Sequence, residues 1–161
     1  MAVYILVAII AYAIGSVNFS IIFSKKFAGF DVREKGSGNA GTTNMLRSAG
    51  KGLAALTLIC DILKGVVAVL VAFWIGKIAT NVKPEILVQL AGFFAVVGHT
   101  FPVYFGFKGG KGVATSLGIL LLINWLSICT FSNGINKNGF IRFNNGSSFI
   151  PSINYIYNYR R

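Results

Sequence analysis

The sequence predicts an all-α protein, a polytopic transmembrane helix bundle with glycine-rich cytoplasmic loops, and three observations predict it. The 161 residues are 55% hydrophobic and only 12% charged, against about a quarter charged in soluble domains, and the mean hydropathy is +0.70. The charge is lopsided, 15 Lys and Arg against 4 Asp and Glu for a net +11. In a soluble chain that excess would suggest nucleic acid; in one this apolar it points to a cytoplasmic membrane face and an anionic substrate. The 19 glycines exceed what plain spanning helices use, so some loops bring backbone close to something. Disorder over most of the length is excluded, and so is a disulfide scaffold. Cys60 and Cys129 lie far apart in apolar stretches and form neither a framework nor a metal site, and no cofactor is expected.

Four apolar segments follow in order. Residues 2–23 carry no charge and are long enough to cross a hydrocarbon core of roughly 30 Å. A signal peptide would need a basic stretch before the apolar run; here Lys25 and Lys26 come after it, which predicts a retained helix with its N-terminus outside. Residues 53–75 form the second segment, interrupted by Asp61 and Lys64; residues 86–105 form the third, and 113–131 the fourth. Basic residues set the orientation. The first connection holds Lys25, Lys26, Arg33, Lys35, Arg47 and Lys51, and the third holds Lys108 and Lys111. The second holds only Lys77 and Lys83, with Glu85 offsetting one. The first and third connections therefore face the cytoplasm, and the glycines gather there too.

The chain divides into residues 1–125 and a tail, 126–161. The tail is rich in Asn, Gly, Ser and Tyr and has no helical or strand period. With A/T-leaning codons, the stretch NGINKNGFIRFNNGSSFIPS read one base later can give MALTKMVSLGSIMAAVLFPV, an apolar segment with a small loop. One reading is a disordered polar tail, although its aromatic and isoleucine content is high for disorder; the other, favoured here, is the product of a frameshift near residues 125–131.

Two loops have the make-up of phosphate sites. The first reads GSGNAGTTNMLRSAGKG over residues 36–52. Gly36, Gly38 and Gly41 alternate with hydrogen-bonding residues, so backbone N–H groups can turn inward as an anion-binding nest. Ser37, Asn39, Thr42, Thr43 and Asn44 add short polar groups, and Arg47 adds a fork suited to phosphate. A helix starting near Thr42 would aim its positive end at the same ligand. An ordinary glycine-rich turn is the plain alternative. The second reads GFKGGKGVATSLG over residues 106–118. It sets Lys108 and Lys111 among Gly106, Gly109, Gly110 and Gly112 just before a helix. It is not a Walker A loop, because Lys111 is followed by Gly112. The positive-inside rule alone would explain its lysines but not its glycines.

Asp61 and Lys64 stand one helical turn apart and can neutralise each other. Charges inside a span are usually functional or partnered, so the pair is read as orienting, with Asp61 a candidate partner for a loop cation. His99 is the one histidine; it is either a general base or a helix-end residue bonded to a carbonyl. Ser37, Arg47, Lys111 and His99 are the candidate catalytic residues. No nucleophile elbow, carboxylate pair or metal-ligand cluster is present, which leaves covalent and metal-assisted hydrolysis without support.

The motifs GSVNFS at residues 15–20, GSGNAGTTNMLR at 36–47, DILKG at 61–65 and GHTFPVYFGFKGGKGVATSLG at 98–118 resemble those of the bacterial integral-membrane acyl-phosphate:glycerol-3-phosphate acyltransferases. The resemblance covers residues 1 to about 125. It implies a bundle of seven transmembrane helices in the complete form, with the active site in cytoplasmic loops. It further implies transfer of a fatty acyl group from acyl phosphate to glycerol 3-phosphate, giving 1-acylglycerol 3-phosphate for phospholipid synthesis. On this resemblance Ser37, Asn39, Thr43, Asn44 and Arg47, with Gly36 and Gly38, bind phosphate or position substrate. Lys108, Gly109, Gly110, Lys111 and Gly112 cradle the second phosphate. The implied partners are the two substrates, membrane lipids and the enzyme that makes acyl phosphate, with no nucleic acid; the implied location is the cell membrane. The tail departs from the family pattern, which continues with further helices and a late motif containing His and Asn. The rival classes are an inactive remnant of that enzyme and a small transporter for phosphate-bearing anions. The transporter would show repeats and broken helices at mid-membrane rather than polar groups at one interface.

Overall fold

The computed structural model describes residues 1–79 and 82–134, with side chains as far as residue 128. The described residues are helical and contain no strand. Helix α1 (Ala2–Ser16) and helix α2 (Phe19–Phe23) run on into a π-helical turn, Ser24–Ala28. After a short 3-10 turn (Val32–Glu34) come α3 (Thr42–Ala49), α4 (Lys51–Ile78) and α5 (Pro84–Thr100). A second 3-10 turn (Val103–Phe105) leads to α6 (Val113–Gly134).

Three stretches are long and apolar enough to cross a membrane: Ala2–Ala28, Lys51–Ile78 and Pro84–Phe105. The fourth expected segment is α6, apolar over Val113–Ile128 and continuing past residue 125 to Gly134. The predicted frameshifted tail falls outside the described residues from residue 135 onward. Residues 1–122 make up one compact unit; of the chain from residue 123 onward, the described part is the end of α6.

The first span is not one continuous helix, which the uniform apolar run of residues 2–23 did not foretell. Val17 is extended, at φ −67° and ψ 106°. The buried Asn18 then starts α2, its Oδ1 accepting from the Ile21 amide (3.3 Å) and the Ser20 hydroxyl (2.7 Å). Its amide end donates to the Ala40 carbonyl at 3.4 Å, tying the break to the loop before α3. The other helix ends follow local rules. Pro84 occupies the first turn of α5, where its missing N–H is no loss. Gly50, at φ +87°, turns the chain from α3 into α4.

Inside the bundle, α1 lies against α5, and α4 against both. Small residues make this possible, as they do between membrane helices generally. A Cβ on Gly98 would fall 2.8 Å from the Ser16 amide nitrogen and 3.0 Å from the Gly15 carbonyl carbon. One on Gly15 would fall 2.7 Å from Ala95 Cα. Helix α6 meets α4 in the same way, through Gly118 against Ile62 and Gly65 against Thr115. Large apolar side chains face outward instead: Trp74, Phe93 and Leu121 are each at least 60% exposed, as suits a lipid-facing surface. At one end, Ile21, Val32, Ala40, Met45 and Ala54 form a separate small core, covered by Phe23, Ala49, Leu53 and Phe105. It seats α3 and the first loop on the end of the bundle.

Candidate functional site

The two glycine-rich loops lie together at that end. In the first, Asn44 is the organising side chain. It is buried, at 1% exposure. Its Oδ1 accepts from the Ser37 amide at 2.9 Å, and its Nδ2 donates to the carbonyls of Val32 and Lys35 at 2.8 and 2.9 Å. Gly36 and Gly38 have φ of +59° and +70°, the left-handed region where glycine is favoured. Ser37, Thr43 and Arg47 are exposed, and Asn39 is half-buried.

In the second loop, the Gly109 and Gly110 amides donate to the Thr100 and His99 carbonyls, each at 3.1 Å. The loop thus folds back on the last turn of α5. A Cβ on Gly110 would overlap His99 Nε2 and the Ala40 carbonyl oxygen. One on Gly109 would lie 2.6 Å from Pro102 Cδ and 2.8 Å from the Thr100 carbonyl oxygen. Gly112, at φ +75°, makes the final turn into α6. Lys108 and Lys111 are exposed.

This arrangement differs from the nest expected of the glycines. The amides of Ser37, Gly38, Gly41, Gly109 and Gly110 all donate within the protein, so they are not aimed at a ligand. The physical reason is close packing: at Gly109 and Gly110 a side chain would collide with α5 or with the first loop. Helix geometry also leaves amides unpaired in the first turns of α3 and α6, where an anion is favoured. Arg47, Lys108 and Lys111 are exposed cations at the same end.

Beneath the loops is a buried polar hub. Lys64 Nζ lies 2.8 Å from Asp61 Oδ1, donates to the Val17 carbonyl at 2.7 Å and stands 2.9 Å from His99 Nδ1. Asp61, Lys64 and His99 are 1%, 4% and 3% exposed. An ammonium can only donate, so His99 Nδ1 is the acceptor and its ring proton sits on Nε2, the atom beside Gly110. Asp61 therefore pairs with Lys64 on its own helix rather than with a loop cation. His99, offered as either base or helix-end residue, closes the end of α5 with its carbonyl bonded to Gly110 and its Nδ1 occupied.

The sequence reading missed Asp31 and Arg33. Asp31 caps the Val32–Glu34 turn by accepting from the Arg33 amide at 3.0 Å. It also takes the Arg33 guanidinium on both oxygens, Nε to Oδ1 at 3.0 Å and Nη2 to Oδ2 at 2.7 Å. Lys25 lies 3.1 Å from Oδ2. The Arg33 hydrogen bonds hold the Asp31 carboxyl well below the usual carboxylate range, against the opposing effect of burial. The carboxylate in turn pushes the Arg33 guanidinium up. Arg33 Nη1 donates to the carbonyls of Phe105 (2.8 Å) and Lys108 (3.5 Å), linking the two loops. A cleft of about 480 Å³ opens beside this contact, lined by Asp31, Arg33, Glu34, Phe105, Lys108 and Gly109 among others. The signal was legible only as an acidic residue placed two before an arginine in a basic loop.

The chain is similar to proteins of known family. Residues 5–135 match the family model described as glycerol-3-phosphate acyltransferase. A glycerol-3-phosphate acyltransferase of Bartonella henselae is 48% identical over 126 residues, covering 78% of this chain and 58% of that protein. One from Pseudomonas paraeruginosa is 53% identical over 116 residues, covering 72% and 58%. Crystal structures of the integral membrane glycerol 3-phosphate acyltransferase PlsY are also similar. The glycerol 3-phosphate form has a TM-score of 0.65 at 37% identity, covering 80% of this chain and 62% of that one. The lysophosphatidic acid form has a TM-score of 0.62 at 36% identity, covering 80% and 61%. The chain therefore spans a little under three-fifths of the length of these two relatives. With its long apolar helices, it is a multi-pass membrane protein. The matched stretch takes in both loops and the buried hub between them, and the chain belongs to the glycerol-3-phosphate acyltransferase family.

Proposed function

We propose that this chain transfers a fatty acyl group from acyl phosphate to glycerol 3-phosphate, forming 1-acylglycerol 3-phosphate and inorganic phosphate. The observation that carries this reading is the meeting of two basic, glycine-rich loops at one end of an apolar bundle, with the Ala40 carbonyl against Gly110. Both substrates are phosphates, and both loops end at a helix N-terminus, where anions are favoured. Arg47, Thr43 and Ser37 would serve the site before α3; Lys108 and Lys111 would serve the site before α6. Asn39 lies within the same loop and would help orient the substrate. Asn44, Gly36 and Gly38 shape the first loop and Gly109, Gly110 and Gly112 the second, while Asp61, Lys64 and His99 hold the α5 end beneath them.

Acyl phosphate is an activated donor, so orientation and charge stabilisation supply most of what the reaction needs. The glycerol hydroxyl attacks the acyl carbon, the carbon–oxygen bond to phosphate breaks, and the departing phosphate takes the hydroxyl proton. No protein base is then required, which suits a His99 whose Nδ1 is occupied. The acyl chain would lie along the helices, and an apolar groove of about 340 Å³ between α5 and α6, lined by Phe93, Val96, Ser116, Ile119 and Leu120, has the right chemistry for it.

The excess of basic residues supports a cytoplasmic position for these loops at the cell membrane, within reach of the enzyme that makes acyl phosphate. The change of composition in residues 126–161 is attributed to a frameshift near residues 125–131; an unbroken coding frame with incompatible codons would end that idea. The activity is tested by expressing the chain in membranes with both substrates. Lysophosphatidate should form and should be lost in Lys111→Ala and Arg47→Ala. An intact chain that makes no product would refute the activity and leave the reading of an inactive remnant.

A further inference from the structure

Arg33 spends its guanidinium in two directions. One edge grips Asp31 through Nε and Nη2. The other, through Nη1, meets the carbonyls of Phe105 and Lys108. Those two carbonyls bracket Gly106 and Phe107, whose φ values are +65° and +60°. Two successive left-handed residues are uncommon, and the second is bulky, a residue type for which this conformation is disfavoured. The Phe107 ring is 57% exposed, so protein packing around it does not hold the turn. Its hydrogen bonds do: the amides of Phe105 and Phe107 both donate to the Pro102 carbonyl, at 3.1 and 3.0 Å, and Arg33 holds the carbonyls on either side. Lys108 leads directly into Gly109, Gly110, Lys111 and Gly112. Whatever fixes residues 105–108 therefore fixes the start of the second loop.

We infer that Arg33, aimed by Asp31, is a positioning residue that clamps the left-handed turn at 105–108 and so sets where Lys108, Lys111 and the first turn of α6 meet a phosphate. The inference rests on the proposed function insofar as it names a phosphate ligand. A lysine in place of Arg33 would keep the charge but lose the fork, and could not hold Asp31 on two oxygens while reaching two carbonyls.

The test uses the chain purified in detergent, with two readouts. Hydrogen exchange of the backbone amides at 105–112 reports the turn, and calorimetric titration with glycerol 3-phosphate reports the site. Arg33→Lys should speed exchange at 105–112 at least tenfold, leave α4 and α5 protected as before, and weaken glycerol 3-phosphate binding about tenfold. Asp31→Asn, which keeps the guanidinium but removes the group that aims it, should give the same local pattern. Lys25→Gln removes the exposed Lys25 contact to Asp31 Oδ2 but leaves both Arg33 hydrogen bonds to the carboxylate in place, and should change exchange at 105–112 less than twofold. Exchange that stays as in the unmodified chain, or rises equally in the helices, would overturn the clamp. Faster exchange with unchanged binding would overturn its positioning role. An unmodified chain that binds no glycerol 3-phosphate would count against the proposed function, while the exchange result still decides the clamp.

Discussion

Replacing Lys64 by methionine tests the buried hub most directly. Methionine fills much of the lysine volume, so the loss is chiefly electrostatic. Three acceptors depend on this one ammonium: Asp61 Oδ1 at 2.8 Å, the Val17 carbonyl at 2.7 Å and His99 Nδ1 at 2.9 Å. Asp61 is 1% exposed and would be left as a buried charge without a cation. Breaking a buried pair from one side costs about 3–5 kcal/mol, and a buried acceptor left unsatisfied costs about 1–3 kcal/mol. These contributions share one side chain and do not add fully, so Lys64→Met should lose at least about 3 kcal/mol. Asp61→Leu alone strands the ammonium instead and should cost a similar amount.

The double variant removes both charges, leaving only the Val17 carbonyl and His99 Nδ1 unsatisfied. It should be at least about 1 kcal/mol more stable than Lys64→Met alone, because replacing both partners of a buried pair is far cheaper than removing one. Asp61→Leu is thus expected to change sign with background: destabilising when Lys64 is present, stabilising when it is not. The assay is unfolding of the detergent-solubilised chain by added dodecyl sulfate, followed by far-ultraviolet circular dichroism. If Asp61→Leu destabilises equally in both backgrounds, Lys64 does not neutralise Asp61 and the hub has been misread.

Five further outcomes are expected. Gly110→Ala should cost about 1–3 kcal/mol by forcing His99 or the first loop away, while Gly52→Ala, which meets nothing within 4 Å on α4, should gain about 0.5–1 kcal/mol; the same unfolding assay measures both. Because the Asp31 carboxyl titrates below its ordinary value of 3.8 in the folded chain, its contribution is present above that value and is lost as the pH falls below it. The stability gap between the unmodified chain and Asp31→Asn should therefore be flat from roughly pH 5 to 8 and should narrow below about pH 4. Asn44→Ala removes the acceptor of the Ser37 amide and the donor to two carbonyls; it should destabilise the chain by about 2 kcal/mol or more and expose the first loop to proteolysis. Ser116→Phe should fill the groove between α5 and α6 and shift product formation toward shorter acyl donors, with glycerol 3-phosphate binding unchanged.

Much of the architecture was legible from charge and hydropathy. The apolar segments, the helix beginning at Thr42 and the self-neutralising Asp61–Lys64 pair all follow from local pattern. What escaped the sequence depends on partners distant along the chain. Lys64 reaches Val17, 47 residues away, and Arg33 reaches Phe105, 72 residues away; no periodicity encodes such a meeting. Asn18 escaped for a different reason: it was legible within GSVNFS at residues 15–20, but a small polar residue in an apolar run carries no mark that it will break the helix and bond to Ala40. Asn44 was legible as polar but not as buried, because the same amide that could face a phosphate can equally fold the loop around itself.

The glycines mark the limit of what composition can say about an anion site. A glycine-rich loop is consistent with a nest of inward amides and equally with backbone packed too tightly for a side chain. Here the second account holds at Gly109 and Gly110, whose amides are committed to α5 and whose hydrogens face His99, Pro102 and Ala40. The loop is therefore rigid for reasons internal to the protein, and that rigidity is what a phosphate site needs. Donors fixed before the ligand arrives require no reordering when charge shifts during transfer. Under the proposed function, phosphate recognition would fall to groups the packing leaves outward: Lys108, Lys111, Arg47 and the first turns of α3 and α6. On this account, loosening the packing by Gly110→Ala should impair transfer as much as removing a cation, although Gly110 itself touches no substrate.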